Sequence, residues 1–179
     1  DFPLFYFVKV YINKFNIPFE VSILGDGILR DKMEEFILAN SLFNVNMKGK
    51  VSHSDVYKEL SSSHVLISSS ESEGMSLAIL EAISAGVYVV ATPASRNAEM
   101  IIEDINGNLV GFNKPDAIAE KVRFFYETKF TRQYKYPDDY LQKMEDQYSW
   151  SSIAKNYEKL FTKIVSTGSA GRDDAHHGG

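Results

Sequence analysis

The chain has 179 residues, 44% hydrophobic and 24% charged, which is the composition of an ordinary soluble protein and enough for one sizeable core. A net charge of −5 without a basic block argues against nucleic-acid binding through phosphate contacts. The absence of cysteine excludes disulfides and thiolate chemistry and suits a reducing, cytoplasmic setting, and no apolar run approaches the ~20 residues that span a bilayer. No signal-peptide pattern or initiator Met opens the chain. It begins inside apolar helical sequence and reads as an N-terminally truncated piece.

In chain order, Phe5-Tyr6-Phe7-Val8-Lys9-Val10-Tyr11-Ile12 reads as a helix packed on a sheet, punctuated by Pro18. Residues 20–24 read as a strand, Gly25-Asp26-Gly27 as a turn, and 28–39 as a helix. A short strand over 45–47 follows, then a helix over 54–60 with Ser54 as its N-cap. Residues 64–68 form the next strand. A motif helix then ends at Gly86, a C′ glycine, before the strand 87–91. A short helix over 98–103, a last strand over 108–110, and a helix from Pro115 to about residue 127 complete the alternation. Residues 137–148 and 151–164 read as two more helices. Strands alternating with helices imply an α/β fold with a Rossmann-like, doubly wound parallel sheet of about five strands and extra C-terminal helices. Residues 1–165 are taken as one domain, and 166–179, small and polar, as a disordered or appended tail. His176-His177 in that tail lack nearby partner ligands and make a poor metal site.

The most informative stretch is Ser72-Glu73-Gly74-Met75-Ser76-Leu77-Ala78-Ile79-Leu80-Glu81-Ala82-Ile83-Ser84-Ala85-Gly86. Glu73 stands against a glycine where a helix should begin, and Glu81 is embedded in an apolar helix. A carboxylate among Leu77, Leu80, Ala82 and Ile83 is costly unless something polar meets it. Gly74 and Glu81 are close to two turns apart, which puts them on one face at about 10 Å. The free N–H groups near Gly74 favour an anion such as a diphosphate. Glu81 is then placed to accept hydrogen bonds from hydroxyls farther along the same ligand. Phosphate at one end and a diol at the other describe a sugar nucleotide.

This spacing resembles the E-x7-E signature of glycosyltransferase family 4 (glycosyl transferases group 1), whose members have the two-domain GT-B fold. Ser22-Ile23-Leu24-Gly25-Asp26-Gly27 is similar to the family's strand ending in G-x-G, and Val45-Asn46-Met47-Lys48-Gly49-Lys50-Val51 to its next strand and loop. Glu99-Met100-Ile101-Ile102 and Asn106-Gly107-Asn108-Leu109-Val110 resemble its E-I-I…N-G-x-L-V segment. The likeness runs in order from about Phe19 to about Tyr126.

The resemblance implies the donor-binding half of a retaining glycosyltransferase that moves a sugar from a UDP-, GDP- or ADP-sugar to a hydroxyl acceptor in polysaccharide or glycoconjugate synthesis. It implies that Glu73, the catalytic candidate, contacts hydroxyls of the donor sugar and that Glu81 holds the ribose diol. Amides of Gly74, Met75, Ser76 and Leu77 would reach phosphate and sugar, and the loop carrying Lys50 and Val51 would border the nucleobase. It implies no metal and no cofactor. The acceptor-binding N-terminal domain, and a strand and loop with an arginine and a lysine that grip the diphosphate, would precede Asp1. This chain alone is then expected to lack transferase activity. Peripheral association of the full enzyme with the cytosolic membrane face is also implied. Many relatives read E-G-F-G where this chain has Glu73-Gly74-Met75-Ser76, and a serine there adds a side chain beside the ligand.

Plainer readings stand beside these. Gly25-Asp26-Gly27-Ile28-Leu29-Arg30 lacks the final glycine or alanine of a dinucleotide fingerprint and the later acid, and fits a tight turn. Glu73 alone fits a helix-dipole carboxylate, worth about 0.3–1 kcal/mol. His53 reads as a solvated loop residue or a base contact, and His64 as structural. Glu99 touches the ligand or caps a helix, and Arg96 neutralises a diphosphate or is solvated. Ser61-Ser62-Ser63 and Ser68-Ser69-Ser70 read as a loop and a strand end, the second run at the sheet's C-terminal edge, where open α/β sheets bind ligands. For the whole, a non-catalytic nucleotide-sugar-binding module and a GT-B sugar-nucleotide epimerase are the alternatives.

Overall fold

Short runs of β-branched and aliphatic residues become strands, and the amphipathic stretches between them become helices. The computed structural model describes residues 15, 17–72, 74, 76–94, 96–130, 134–137 and 139–169. The apolar stretch 5–12, Glu73, Met75 and the tail beyond Ser169 lie outside them. The order is β1 (Val21–Leu24), α1 (Arg30–Ala39), β2 (Val45–Gly49), α2 (His53–Ser62), β3 (Val65–Ser68), α3 (Leu77–Ser84), β4 (Tyr88–Ala91), α4 (Asn97–Met100), β5 (Gly107–Leu109) and α5 (Pro115–Thr128). Two helices follow, α6 (Tyr140–Tyr148) and α7 (Trp150–Ser169). The chain divides into two compact units, residues 1–136 and 137–179.

In the first unit all strand pairs are parallel, as the alternation of elements predicts. β1 pairs with β2, setting Val21 opposite Val45, and β4 lies between β3 and β5. The five strands thus form two ladders, β1-β2 and β3-β4-β5. Both turn one face to the same core. Val21, Ile23, Met47, Val65 and Ile67 pack on a buried cluster that includes Val45, Tyr88, Val90, Ile118 and Phe125. The two-residue period of that set is the period of a strand face. Helix α5 supplies Ile118, Ala119 and Phe125 from this side. Val89 and Ala91 are also fully buried, so β4 is covered on both faces, as parallel strands usually are. Helix α3 packs on β3 and β4.

Asn106 and Gly107 show how local chemistry sets this arrangement. Oδ1 of Asn106 accepts from the Ile102 amide at 2.7 Å, and its Nδ2 donates to the Met100 carbonyl at 2.8 Å, which ties the exit of α4 to the start of β5. A Cβ on Gly107 would lie 2.2 Å from the Val89 carbonyl oxygen, so only glycine lets β5 approach β4 this closely. Gly86, at φ +77°, ends α3 as the C′ glycine expected there.

Several boundaries move. Helix α2 begins at His53, and its cap is Ser52, not Ser54. Ser52 has the extended backbone a cap needs, and its Oγ accepts from the Asp55 amide at 3.3 Å and donates to Asp55 Oδ2 at 2.6 Å. Helix α7 runs to Ser169, past its expected end near 164. No helix among the described residues is long and apolar enough to cross a membrane.

Candidate functional site

Helix α3 is sorted by its sequence into two sides. Ile79, Ala82 and Ile83 are buried against the sheet, with Ser76 beside them at the N-cap. Leu77, Ala78 and Glu81 lie on the outer side, three or four residues apart across the turn, and Gly74 is exposed just before the N-cap. Leu77 is 66% exposed, and a Cβ at Gly74 would meet nothing within 4 Å. Among the described residues nothing crowds position 74. Open space beside a glycine at a helix start is room for another molecule's close approach. Among the described residues no side chain caps this end, in contrast with Ser52 at α2. The first-turn amides of α3 therefore point out beyond Ser76.

Glu81 departs from the expectation of an embedded carboxylate. Its side chain is 33% exposed because it lies on the outer side of α3, while its apolar neighbours at 79, 82 and 83 face the sheet. The polar group that meets it is His53, whose Nδ1 stands 3.6 Å from Glu81 Oε1. That pairing brings the loop after β2 to the motif helix. Lys50 in this loop is exposed and Val51 half-buried. The sequence shows the two segments separately, and nothing in its spacing joins them.

At the sheet's C-terminal edge, Thr92 stitches two strand ends together. Its amide donates to the Ser68 carbonyl at 2.9 Å and its hydroxyl to the Ser70 carbonyl at 2.5 Å. Asn97 is fully buried, with Nδ2 donating to the Thr92 carbonyl at 3.1 Å, and its Oδ1 has no partner among the described residues. Arg96 grips Glu99 through Nε at 3.0 Å and Nη2 at 2.7 Å. Glu99 lies in the first turn of α4, where a carboxylate also suits the helix dipole. The Ser61, Ser62 and Ser63 hydroxyls bond back to carbonyls of their own helix, and His64 packs edge-on against Phe130 at 4.7 Å. These four residues are structural.

The Gly25-Asp26-Gly27 turn opens α1, with Asp26 accepting from the Gly27 amide at 2.9 Å. Arg30 pairs with Glu34 at 2.8 Å and lies over Gly49, where a Cβ would come within 3.0 Å of Nη1. A cleft of about 330 Å³ lies beside this turn, lined by Leu24, Gly25, Ile28, Arg30, Met33 and others. Arg30 occupies the position where a dinucleotide fingerprint has its last small residue, so the plain-turn reading fits.

Architecture and strand direction are those of a Rossmann-like α/β domain. The sequence model of the family "Glycosyl transferases group 1" matches residues 9–144, well over half of the chain, and the chain belongs to that family. It is 25% identical over 149 residues to an uncharacterized glycosyltransferase of Methanocaldococcus jannaschii, covering 83% of this chain and 42% of that protein. It is 31% identical over 151 residues to a phosphatidylinositol N-acetylglucosaminyltransferase subunit of Arabidopsis thaliana, covering 84% and 32%. Among solved structures, Staphylococcus aureus TarM in complex with UDP superposes with a TM-score of 0.76 at 23% identity, covering 89% of this chain and 32% of that one. The chain thus spans about a third to two-fifths of the length of these proteins.

Proposed function

We propose that this chain is the donor-binding half of a retaining glycosyltransferase using a UDP-, GDP- or ADP-sugar. The reaction breaks the bond between the sugar's anomeric carbon and the diphosphate oxygen, and forms one from the same carbon to an acceptor hydroxyl oxygen. The diphosphate leaves with the electron pair, and the acceptor's proton is lost. The observation that carries this reading is the outer side of α3: first-turn amides at one end and Glu81 about one turn into the helix, with Gly74 open just before the N-cap. The spacing of two helical turns expected from the sequence shortens because the helix begins at Leu77.

In this reading the amides from Gly74 to Leu77 bind the diphosphate and stabilise it as it departs. Glu81 accepts hydrogen bonds from the ribose diol. Glu73 orients the donor sugar, and the Lys50 and Val51 loop borders the base. Glu99, already held by Arg96, completes the rim. The UDP bound by TarM, a protein of the same fold, supports a nucleoside diphosphate here. The complete protein would act in polysaccharide or glycoconjugate synthesis, with its acceptor half outside this sequence.

Titration calorimetry with UDP, GDP and ADP tests the reading first, and proton NMR of the product anomer tests retention. Saturable binding of one nucleoside diphosphate, weakened by Glu81→Ala, is expected. No binding of any of the three, or binding indifferent to Glu81, would overturn it.

A further inference from the structure

We propose that His53 is a positioning residue for Glu81, holding its carboxylate for the two ribose hydroxyls and so setting the preference for ribose over deoxyribose. This deepens the function proposed above and rests on that reading of Glu81.

Ser52 caps α2 through Asp55, which fixes His53 as the first helical residue. From there its ring reaches α3 and brings Nδ1 within 3.6 Å of Glu81 Oε1. The His53 side chain is 86% exposed, so packing does not account for its place. Among the described residues, no lysine or arginine pairs with Glu81. The imidazole is the one charged or polar side chain set against this carboxylate there.

The chemistry gives the contact a direction. A carboxylate has two oxygens and about four acceptor sites. A donor at Nδ1 engages one site on Oε1 and leaves the other three sites of the carboxylate, so adjacent hydroxyls can be met by those that remain. Without the imidazole, Glu81 is a long side chain free to rotate, and it must be ordered when the ligand binds. At 3.6 Å the contact is longer than a hydrogen bond, and it tightens when the diol draws the carboxylate into place.

The experiment compares affinities of the tightest-binding of UDP, GDP and ADP with those of its 2′-deoxy counterpart, by calorimetry on the full-length protein. Wild type should prefer the ribonucleotide by about tenfold. His53→Ala should weaken ribonucleotide binding about three- to fivefold, leave the deoxynucleotide nearly unchanged, and thereby lower the ratio. His53→Asn, which keeps a donor near the position of Nδ1, should restore most of it. In Glu81→Ala the ratio should fall close to one, and adding His53→Ala should change nothing further. A wild-type preference that persists undiminished in His53→Ala overturns the positioning role while leaving the ribose reading of Glu81 intact. Equal affinity of wild type for both nucleotides, or no nucleotide binding, overturns both.

Discussion

The hydroxyl of Tyr88 donates a 2.6 Å hydrogen bond to Oδ1 of Asn108, joining β4 to β5 from two fully buried side chains. Asn108 passes the chain on, donating through Nδ2 to Glu103 at 2.5 Å and Asp104 at 2.8 Å. Burial, and then the charges of Asp104 and Glu103, push the Tyr88 phenol far above its ordinary range, so it remains a donor at physiological pH. Tyr88→Phe keeps the ring that packs on Phe125 but leaves Asn108 Oδ1 without this donor. It should destabilise the first unit by about 1–3 kcal/mol, read by urea denaturation. An unchanged midpoint would mean that water replaces the phenol.

Two glycines should separate fold from function. Gly107→Ala forces a methyl against the Val89 carbonyl and should destabilise by about 1–3 kcal/mol or more. Gly74→Ala meets open space and should leave the melting temperature nearly unchanged. If ligand phosphate approaches there, it should nevertheless weaken nucleoside diphosphate binding severalfold. Stability loss in Gly74→Ala, or unaltered binding, would count against the site.

Acid should release the cap of α2. Hydrogen bonds from Lys58 and then Ser52 hold the Asp55 carboxyl below its ordinary value. A carboxyl lowered in the folded state stabilises it above the unfolded value, near pH 4, and that contribution fades as pH falls through the folded value. Asp55→Asn should therefore melt below wild type at pH 7, and the gap should close toward pH 3. A gap constant from pH 7 to 3 would contradict this account.

Glu81→Ala should weaken nucleoside diphosphate binding about tenfold or more while the fold survives, since hydrogen bonds to a charged group are worth roughly 1.5–3 kcal/mol. Glu81→Gln should be milder, because an amide still accepts one bond. Glu73→Ala should depress turnover more than nucleoside diphosphate affinity. Tight binding by Glu81→Ala with a lowered melting temperature would make Glu81 a structural carboxylate.

Short apolar runs such as Val65-Leu66-Ile67 and Val87-Tyr88-Val89-Val90-Ala91, alternating with helical segments, made the parallel strands legible, and the core face then takes every second residue of them. A helix start near Gly74 was readable, but Ser76 is a favoured capping residue and only the structure shows that its side chain makes no cap bond. The cap at Ser52 was harder, because Ser52 and Ser54 offer the same hydroxyl and only backbone geometry chooses between them. Glu81 looked embedded because its neighbours in sequence are apolar, although those neighbours face the sheet. Its pairing with His53 joins residues 28 positions apart. Such contacts depend on how α2 and α3 meet, which no local pattern encodes. The Tyr88–Asn108 network was hidden for the same reason.

The two-ladder sheet has a consequence for handling the protein. Among the described residues, β1 and β3 each have a ladder partner on one edge only. No described strand is laddered to their other edges, the rows Val21-Ser22-Ile23-Leu24 and Val65-Leu66-Ile67-Ser68. Such rows are templates for strand addition, and mutual repulsion from a charge of −5 spread over 179 residues opposes it weakly at physiological salt. Colloidal behaviour will follow whichever strand occupies those edges, and a lysine or proline placed there is the direct way to keep the chain monomeric at high concentration.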